Sequence, residues 1–432
     1  MQVVEGYIHD SCERFVKDTH FKTRFQCLRE SVLSRFYKLF KLDKLLFIFI
    51  SLLISNDILA AYYDVLPRGV RNITYRRIQT GVIDGSFNNS GGFSAFDIAA
   101  DINADVLEGV DSSIDAVLDT FSSSEREQFS LGKFETDIEA EVKAHALGVG
   151  VGVTRRLTFY AFVPFYEAEV RLNLVRTAEG QNQIDGKTIS IDGIPSVDSR
   201  IIQSLFVNYY GYNPLGTWRS SDFGDTEVGF MYLLTKKRNY GTKITFGGVV
   251  PTGREDDPDT IQDIGFGDGQ YDVFVEYGGG VKPRRWLGAD FWTRFTYQLP
   301  FTRRIRLPES AEFPISTEKA DTKIQFGHEV KAMGQLNINM DAAWSFSSGL
   351  MLTYKMKDDY QSGNETADKI LENNTEEFLQ TGILNLTFST LPFFRKKQWP
   401  IPMNLGIYYQ KDISGKNTPQ IERVDLEMRL FF

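Results

Sequence analysis

The chain has 432 residues, 42% of them hydrophobic, 24% charged and 13% aromatic, with a formal net charge of −9. An acidic chain is a poor candidate for nucleic-acid binding, and a mean hydropathy of −0.25 places no helical bundle in a membrane. It leaves room for a transmembrane barrel, because there only alternate residues face lipid.

The first distinctive element in chain order is Leu45–Ile54, LLFIFISLLI. It is too short to span a bilayer comfortably. Lys38, Lys41 and Lys44 precede it, and Leu59-Ala60-Ala61 follows it. A basic flank, a short apolar core and small residues read as a secretory signal peptide, cut after Ala60 or Ala61. The alternative is a membrane anchor, and Asn56 and Asp57 weigh against it. The forty residues before the core are long for a leader and carry both cysteines, Cys12 and Cys27. The expected organisation is therefore a leader over 1–60 and a single barrel domain over 61–432. The exported part would hold no cysteine, which fits a barrel in an oxidising compartment. It would carry 39 Lys and Arg against 50 Asp and Glu, a net of −11.

Beyond Ala61, about twelve segments alternate between apolar and polar residues: 72–82, 132–152, 157–177, 222–235, 240–251, 269–281, 286–299, 323–340, 347–358, 376–390, 400–410 and 421–432. Strand side chains alternate between two faces, so each segment predicts a strand with one greasy and one polar side. In 286–299, Phe291, Phe295 and Tyr297 oppose Asp290, Arg294 and Gln298. In 132–152, Ile138, Ala140 and Val142 oppose Glu139, Glu141, Lys143 and His145.

The connections alternate as well. Short basic ones hold Arg155-Arg156, Lys236-Lys237-Arg238 and Lys282-Pro283-Arg284-Arg285, while long ones cover 83–131, 178–221, 252–268, 300–322, 359–375 and 411–420. Outer-membrane barrels have short periplasmic turns and long extracellular loops. Two long loops are acidic, one through Glu255, Asp256, Asp257, Asp259 and Asp263. These carboxylates are either simply solvated or bridged by divalent cations to lipopolysaccharide. In the first loop, Ala95–Phe121 carries Ile98, Ile102, Val106, Val110, Ile114, Val117 and Phe121 at a helical period. The expectation is one helix, or two broken near Gly109, that either caps the barrel mouth or joins a satellite pack of loops.

The chain closes on IERVDLEMRLFF. From Arg423 to Leu430 the charged and apolar residues alternate strictly, and the last residue is Phe432. This ending resembles the closing strand of a bacterial outer-membrane barrel, with Met428, Leu430 and Phe432 as the signal read by the barrel-assembly machinery. The expected fold is all-β: an antiparallel transmembrane barrel of about twelve strands with a helical first extracellular loop.

Residues 222–282 carry a family resemblance. Gly224-Asp225 opens one strand, Pro251-Thr252-Gly253 ends the next, and Gly267-Asp268-Gly269 opens a third. This pattern resembles the outer-membrane family named for the meta-pathway of phenol degradation, which is similar to the long-chain fatty-acid transporter barrels. The resemblance implies passage of small, hydrophobic or aromatic compounds across the outer membrane of a Gram-negative bacterium. It carries over no ligand residues. Gly278-Gly279-Gly280 inside a strand pattern marks either a bend or a lateral opening in the wall.

The inferred lumen is crowded with both signs of charge. Its candidates are Glu167, Glu169, Arg171, Asp272, Glu276, Asp290, Arg294, Glu329, Lys331, Lys355, Asp425, Glu427 and Arg429. Such side chains either seal a barrel with salt bridges or leave a narrow polar channel. Three functions follow: a passive channel for small solutes, a closed structural or surface-binding barrel, and, remotely, an outer-membrane hydrolase. The hydrolase needs a Ser or Asp beside His145, read here on the lumen face; His328 is read on the lipid face. No catalytic residue, cofactor or metal ligand is assigned. Expected partners are outer-membrane lipid and lipopolysaccharide, the assembly machinery and a small solute, with no nucleic acid.

Overall fold

The structure, a computed structural model, describes residues 62–96, 100–108, 112–179, 183–184, 187–188, 199–309 and 314–432. The leader and the cleavage point lie outside the described residues, as do Ile98 and Val110 of the first loop.

Twelve strands form the wall. They are β1 (Arg71–Thr80), β2 (Ser130–Gly152), β3 (Leu157–Glu179), β4 (Thr226–Lys236), β5 (Tyr240–Val250), β6 (Asp272–Val281), β7 (Leu287–Gln298), β8 (Glu329–Asn339), β9 (Trp344–Lys355), β10 (Glu377–Ser389), β11 (Met403–Lys416) and β12 (Glu422–Phe431). Each pairs antiparallel with its neighbour in sequence, and β1 pairs with β12 from Asn72↔Phe431 to Thr80↔Arg423. The sheet therefore closes, and no strand edge is left in the wall. Every alternating segment read from the sequence contains or overlaps one wall strand.

The outer surface is apolar where a bilayer would contact it. Val273, Val275 and Tyr277 of β6, Phe291, Phe295 and Tyr297 of β7, and Val424, Leu426 and Met428 of β12 are all exposed. A hydrophobic side chain left in water costs free energy, and lipid removes that cost.

The short turns gather at one end, and there Arg71 and Phe432 exchange backbone hydrogen bonds of 2.8 and 3.0 Å. The long loops gather at the other end and carry their own structure. Ribbon Phe301–Arg306 pairs with Lys319–Gln325, and Asp359–Gln361 adds a third strand. Helix Glu365–Leu371 buries Ala367 against Ile305, Leu307 and Ile324 of this small sheet. The connection expected to be long at 411–420 is short, because β11 runs on to Lys416 and β12 begins at Glu422.

In the first loop the helical period is only partly realised. Ala100–Asn103 is a short strand along β2, followed by helices Ala104–Leu107, Ser112–Leu118 and Ser123–Gln128. Their apolar side chains meet Phe134 of β2: Ile102, Leu107, Leu118 and Phe129 are buried there, with Leu131, Leu174 and Phe206 around them. The loop is thus a satellite pack on the β2–β3 hairpin.

Candidate channel lining

One wall face has a constant phase but a changing chemistry. Along β2, Ala140, Ala144 and Ala146 are buried, whereas Leu147 and Val149 are exposed. The register with β1 and β3 runs unbroken over this stretch, so Glu139, Glu141, Lys143 and His145 share the outward face of Leu147 and Val149. On β3, Ala168, Val170 and Leu172 are buried, and the outward set includes Glu167, Glu169 and Arg171. These three residues therefore do not line the lumen. β2 and β3 have 23 residues each, and about ten suffice to cross a bilayer. Above the apolar belt, the outward face meets water and headgroups, and it becomes charged. The inward face there becomes apolar instead, as Ala140 and Val170 pack on Ile83 with Phe96, Trp218, Ile264 and Ile421 alongside. His145 faces outward for the same reason, and its Nδ1 lies 2.7 Å from the Tyr75 hydroxyl. His328 packs on Tyr297, with ring centres 4.2 Å apart, on the outer surface.

The remaining candidates alternate with the exposed apolar set and point inward. The central group is on β4, β6 and β7. Arg294 donates through Nη1 to Glu227 Oε2 and through Nε to Glu276 Oε2, both at 2.9 Å. Tyr160 donates to the other oxygen of Glu227 at 2.6 Å. The Tyr62 hydroxyl donates to Glu276 Oε1. The Arg294 guanidinium also lies 4.2 Å from the centre of the Phe274 ring. Sequence reasoning missed Glu227, Tyr160 and Tyr62. Glu227 opposes Phe230 in a strand of weak alternation, and Tyr62 precedes the first strand.

A second group lines the wall at β1, β11 and β12. Arg76 pairs with Glu427 at 2.7 Å, Arg429 pairs with Glu427 at 3.2 Å, and Arg76 lies over the Tyr408 ring. Asp425 is fully buried, with Arg423 Nε at 3.4 Å. Lys331 pairs with Glu329 at 2.8 Å, and Lys355 pairs with Glu377 and Asp358 at 3.3 and 3.0 Å. Asn337 and Gln335 donate to Asp290. Asp272 faces inward one step above Phe274. Met428 and Phe432 face outward.

Gly278–Gly280 stays paired on both sides, to Lys243–Gly241 of β5 and to Trp292–Asp290 of β7. There is no gap in the wall here. The glycines make room inside: a Cβ on Gly278 would lie 2.5 Å from the Tyr62 ring, and one on Gly280 would lie 2.0 Å from Asp290 Oδ1.

The three motifs behind the family resemblance meet in one knot above β4, β5 and β6. Asp225 accepts from Gly253 N at 2.9 Å and from Asp268 N at 3.3 Å. Thr252 Oγ1 donates to Gly224 O at 2.9 Å. A side chain on Gly253 would collide with Gly267, and one on Gly267 would collide with Asp225. The motifs join the strand ends to one another.

Three carboxylates of the acidic loop beside the knot, Asp256, Asp259 and Asp263, are ion-paired within the protein. Arg254 grips Asp263 with both terminal nitrogens, Arg303 pairs with Asp256, and Arg306 and Lys319 hold Asp259. Burial alone would raise the Asp259 pKa, but the hydrogen bonds from Lys319 and Arg306 outweigh it and hold the carboxyl below its ordinary value. Arg306 also donates to the carbonyls of Tyr210, Gly211, Pro258 and Ser316, tying three long loops together.

No family model matches the chain, and no curated protein matches it in sequence. Among solved structures, the fold is similar to the COG4313 outer membrane channel from Pseudomonas putida F1, with a TM-score of 0.50 and 12% identity over 87% of this chain and 100% of that one. The CymD monoaromatic hydrocarbon channel (TM-score 0.33, 8% identity, 85% and 89% covered) and the Ralstonia pickettii toluene transporter TbuX (0.33, 8%, 85% and 90%) align less well. At this identity the likeness is one of fold. The chain is a twelve-stranded antiparallel barrel of the outer-membrane type.

Proposed function

We propose that the barrel is a passive channel for small hydrophobic or aromatic solutes in a Gram-negative outer membrane. The observation that carries this reading is the mixed lining at mid-lumen. Rings of Tyr62, Tyr160 and Phe274 contact the Glu227–Arg294–Glu276 group, and Trp292 stands one inward position from Arg294 on β7, bonded to Met333. Rings give an apolar solute contact area, and the fixed ion pairs keep the path hydrated and the wall rigid. The fold likeness to an outer membrane channel and the motif resemblance support the same reading. Signal cleavage near Ala61 would deliver the barrel to the periplasm. Met428, Leu430 and Phe432 would present it to the assembly machinery. Outward Glu139, Glu141, Lys143, Arg171 and Arg219 would meet lipopolysaccharide headgroups.

The test is single-channel conductance and solute-driven swelling of proteoliposomes containing the refolded protein. Discrete conductance steps and swelling with a small aromatic solute are expected. Conductance equal to that of a bare bilayer, without swelling, would instead favour the closed barrel, a reading that draws on the same salt-bridge ladders.

A further inference from the structure

Lys243 is buried without an ion-pair partner among the described residues. It faces inward from β5, between Gly241 and Thr245, and is 6% exposed. Its ammonium touches the Met231 sulfur at 4.0 Å and lies 3.9 Å from the centre of the Tyr62 ring. Tyr62 is itself held, because its hydroxyl donates to Glu276 and the residues after it are tied to the wall. Leu66 N donates to Thr158 Oγ1 and Gly69 N donates to Gly152 O, both at 2.8 Å. The carboxylates that attract Lys243 through space, Glu276 and Asp290, are spent on other donors. Glu276 accepts from Arg294, Tyr62 and Thr245, and Asp290 accepts from Asn337 and Gln335. An ammonium has three donors, and a thioether and a ring face satisfy them poorly.

A second unspent donor reaches the same space from the opposite wall. β12 lies five strand steps from β5 by way of β1 and seven by way of β6. Its inward Arg429 is close enough to act on the Lys243 charge and oppose it. Two cations turned toward one another repel unless an anion lies between them. Arg429 spends Nη2 on Glu427 at 3.2 Å, while its Nε is buried with no hydrogen-bond partner. Glu427 has a closer partner in Arg76, at 2.7 Å. Arg294, by contrast, spends Nε, Nη1 and Nη2 on Glu276 and Glu227.

We propose that Lys243 and Arg429 form an anion-binding point in the lumen, and that the solute it takes is a small aromatic carboxylate. A carboxylate brings one negative charge and two acceptor oxygens to two donors that lack an acceptor. The rings of Tyr62, Tyr160 and Phe274 supply contact area for the arene. A neutral arene leaves both donors unmet, so the point separates aromatic acids from hydrocarbons. This inference rests on the channel reading, and the experiment separates the two.

Wild type, Lys243→Met, Lys243→Arg, Arg429→Met and Lys331→Met are refolded and checked for the heat-modifiable mobility of a closed barrel. The probes are benzoate and its neutral counterpart benzamide, used in calorimetric titration and in planar bilayers. Lys243→Met should weaken benzoate binding by about tenfold or more, the worth of one charge-assisted hydrogen bond, and leave benzamide unchanged. Lys243→Arg should keep most of the affinity. Arg429→Met should also weaken benzoate, and it strands no carboxylate because Glu427 keeps Arg76. Lys331→Met removes a lumen charge already paired with Glu329 at 2.8 Å, so it should change neither affinity. Equal benzoate affinity in wild type and Lys243→Met, or an equal loss in Lys331→Met, would overturn the binding point. Conductance without selective benzoate binding would leave the channel standing and the binding point overturned. Selective binding in a barrel that never conducts would support the binding point and overturn the channel.

Discussion

Arg294 lies 2.9 Å from Glu276 Oε2 and is the only positive side chain that Glu276 and Glu227 share among the described residues. Replacing it with Met leaves two inward carboxylates, 25% and 8% exposed, without their cation. Breaking one side of such a group costs a few kcal/mol, reduced here by partial exposure, so about 2 kcal/mol is expected for Arg294→Met. The urea midpoint of the refolded barrel should fall accordingly. Adding Glu227→Gln and Glu276→Gln should recover most of the loss. In a salt gradient, Arg294→Met should also shift the reversal potential toward cation selectivity.

Acid should loosen the loops before it loosens the wall. Asp259 has a depressed pKa in the folded state despite its burial, because Lys319 and Arg306 hydrogen-bond to it. A depressed carboxylate stabilises the fold at pH above its unfolded value, about 3.9. That contribution is lost as pH falls through the folded value. Amide exchange in 252–268 and 300–322 should therefore accelerate below about pH 4. In Asp259→Asn the same amides should exchange faster at neutral pH and respond less to acid. If wild type and variant exchange alike at pH 7, the Arg306–Asp259 contact does not hold these loops.

Gly152 and Gly334 give a matched pair for wall packing. A Cβ at Gly152 would lie 2.0 Å from the backbone oxygen of Pro67, whereas one at Gly334 meets nothing within 4 Å. Backbone cannot rotate away as a side-chain tip can, so Gly152→Ala should cost about 1–3 kcal/mol. Gly334→Ala, on the open outer face, should change the unfolding midpoint little. Gly152→Ala should also expose the 62–70 segment to protease added from the short-turn side.

Strand number, order and position were legible because a half-buried strand has period two wherever it lies. Asp290, Arg294, Glu329, Lys331 and Asp425 were assigned to the inward face on that basis, and the structure turns them inward. Glu167, Glu169 and Arg171 show what period alone cannot supply. The same alternation fits charged residues facing a lumen and charged residues facing headgroups above the membrane. Only the length of the segments 132–152 and 157–177, 21 residues each, hinted at the second. The first-loop helix failed from the other side. Ile102 satisfies the helical period, yet it sits in a short strand against β2, where Phe134 gives it a core. The central lumen group was invisible in part because Tyr62 and Glu227 come together across 165 residues. No local pattern encodes that meeting.

The change of chemistry along one face of β2 can be tested with one substitution at two depths. Glu141 and Val149 project from the same outward face, and Val149 is 43% exposed within the apolar belt. An arginine near the bilayer midplane costs about 2–4 kcal/mol, and one near the interface about 0–1 kcal/mol. Val149→Arg should therefore lower the stability of the barrel refolded in phosphatidylcholine vesicles by about 2 kcal/mol or more. Glu141→Arg, eight residues along the same face, should stay within about 1 kcal/mol of wild type. Removing the bilayer distinguishes depth from local packing. In detergent micelles, which thin and deform around a charge, the gap between the two variants should shrink. Equal costs in vesicles would place Glu141 and Val149 in the same environment and return Glu167, Glu169 and Arg171 to the question of which face they occupy.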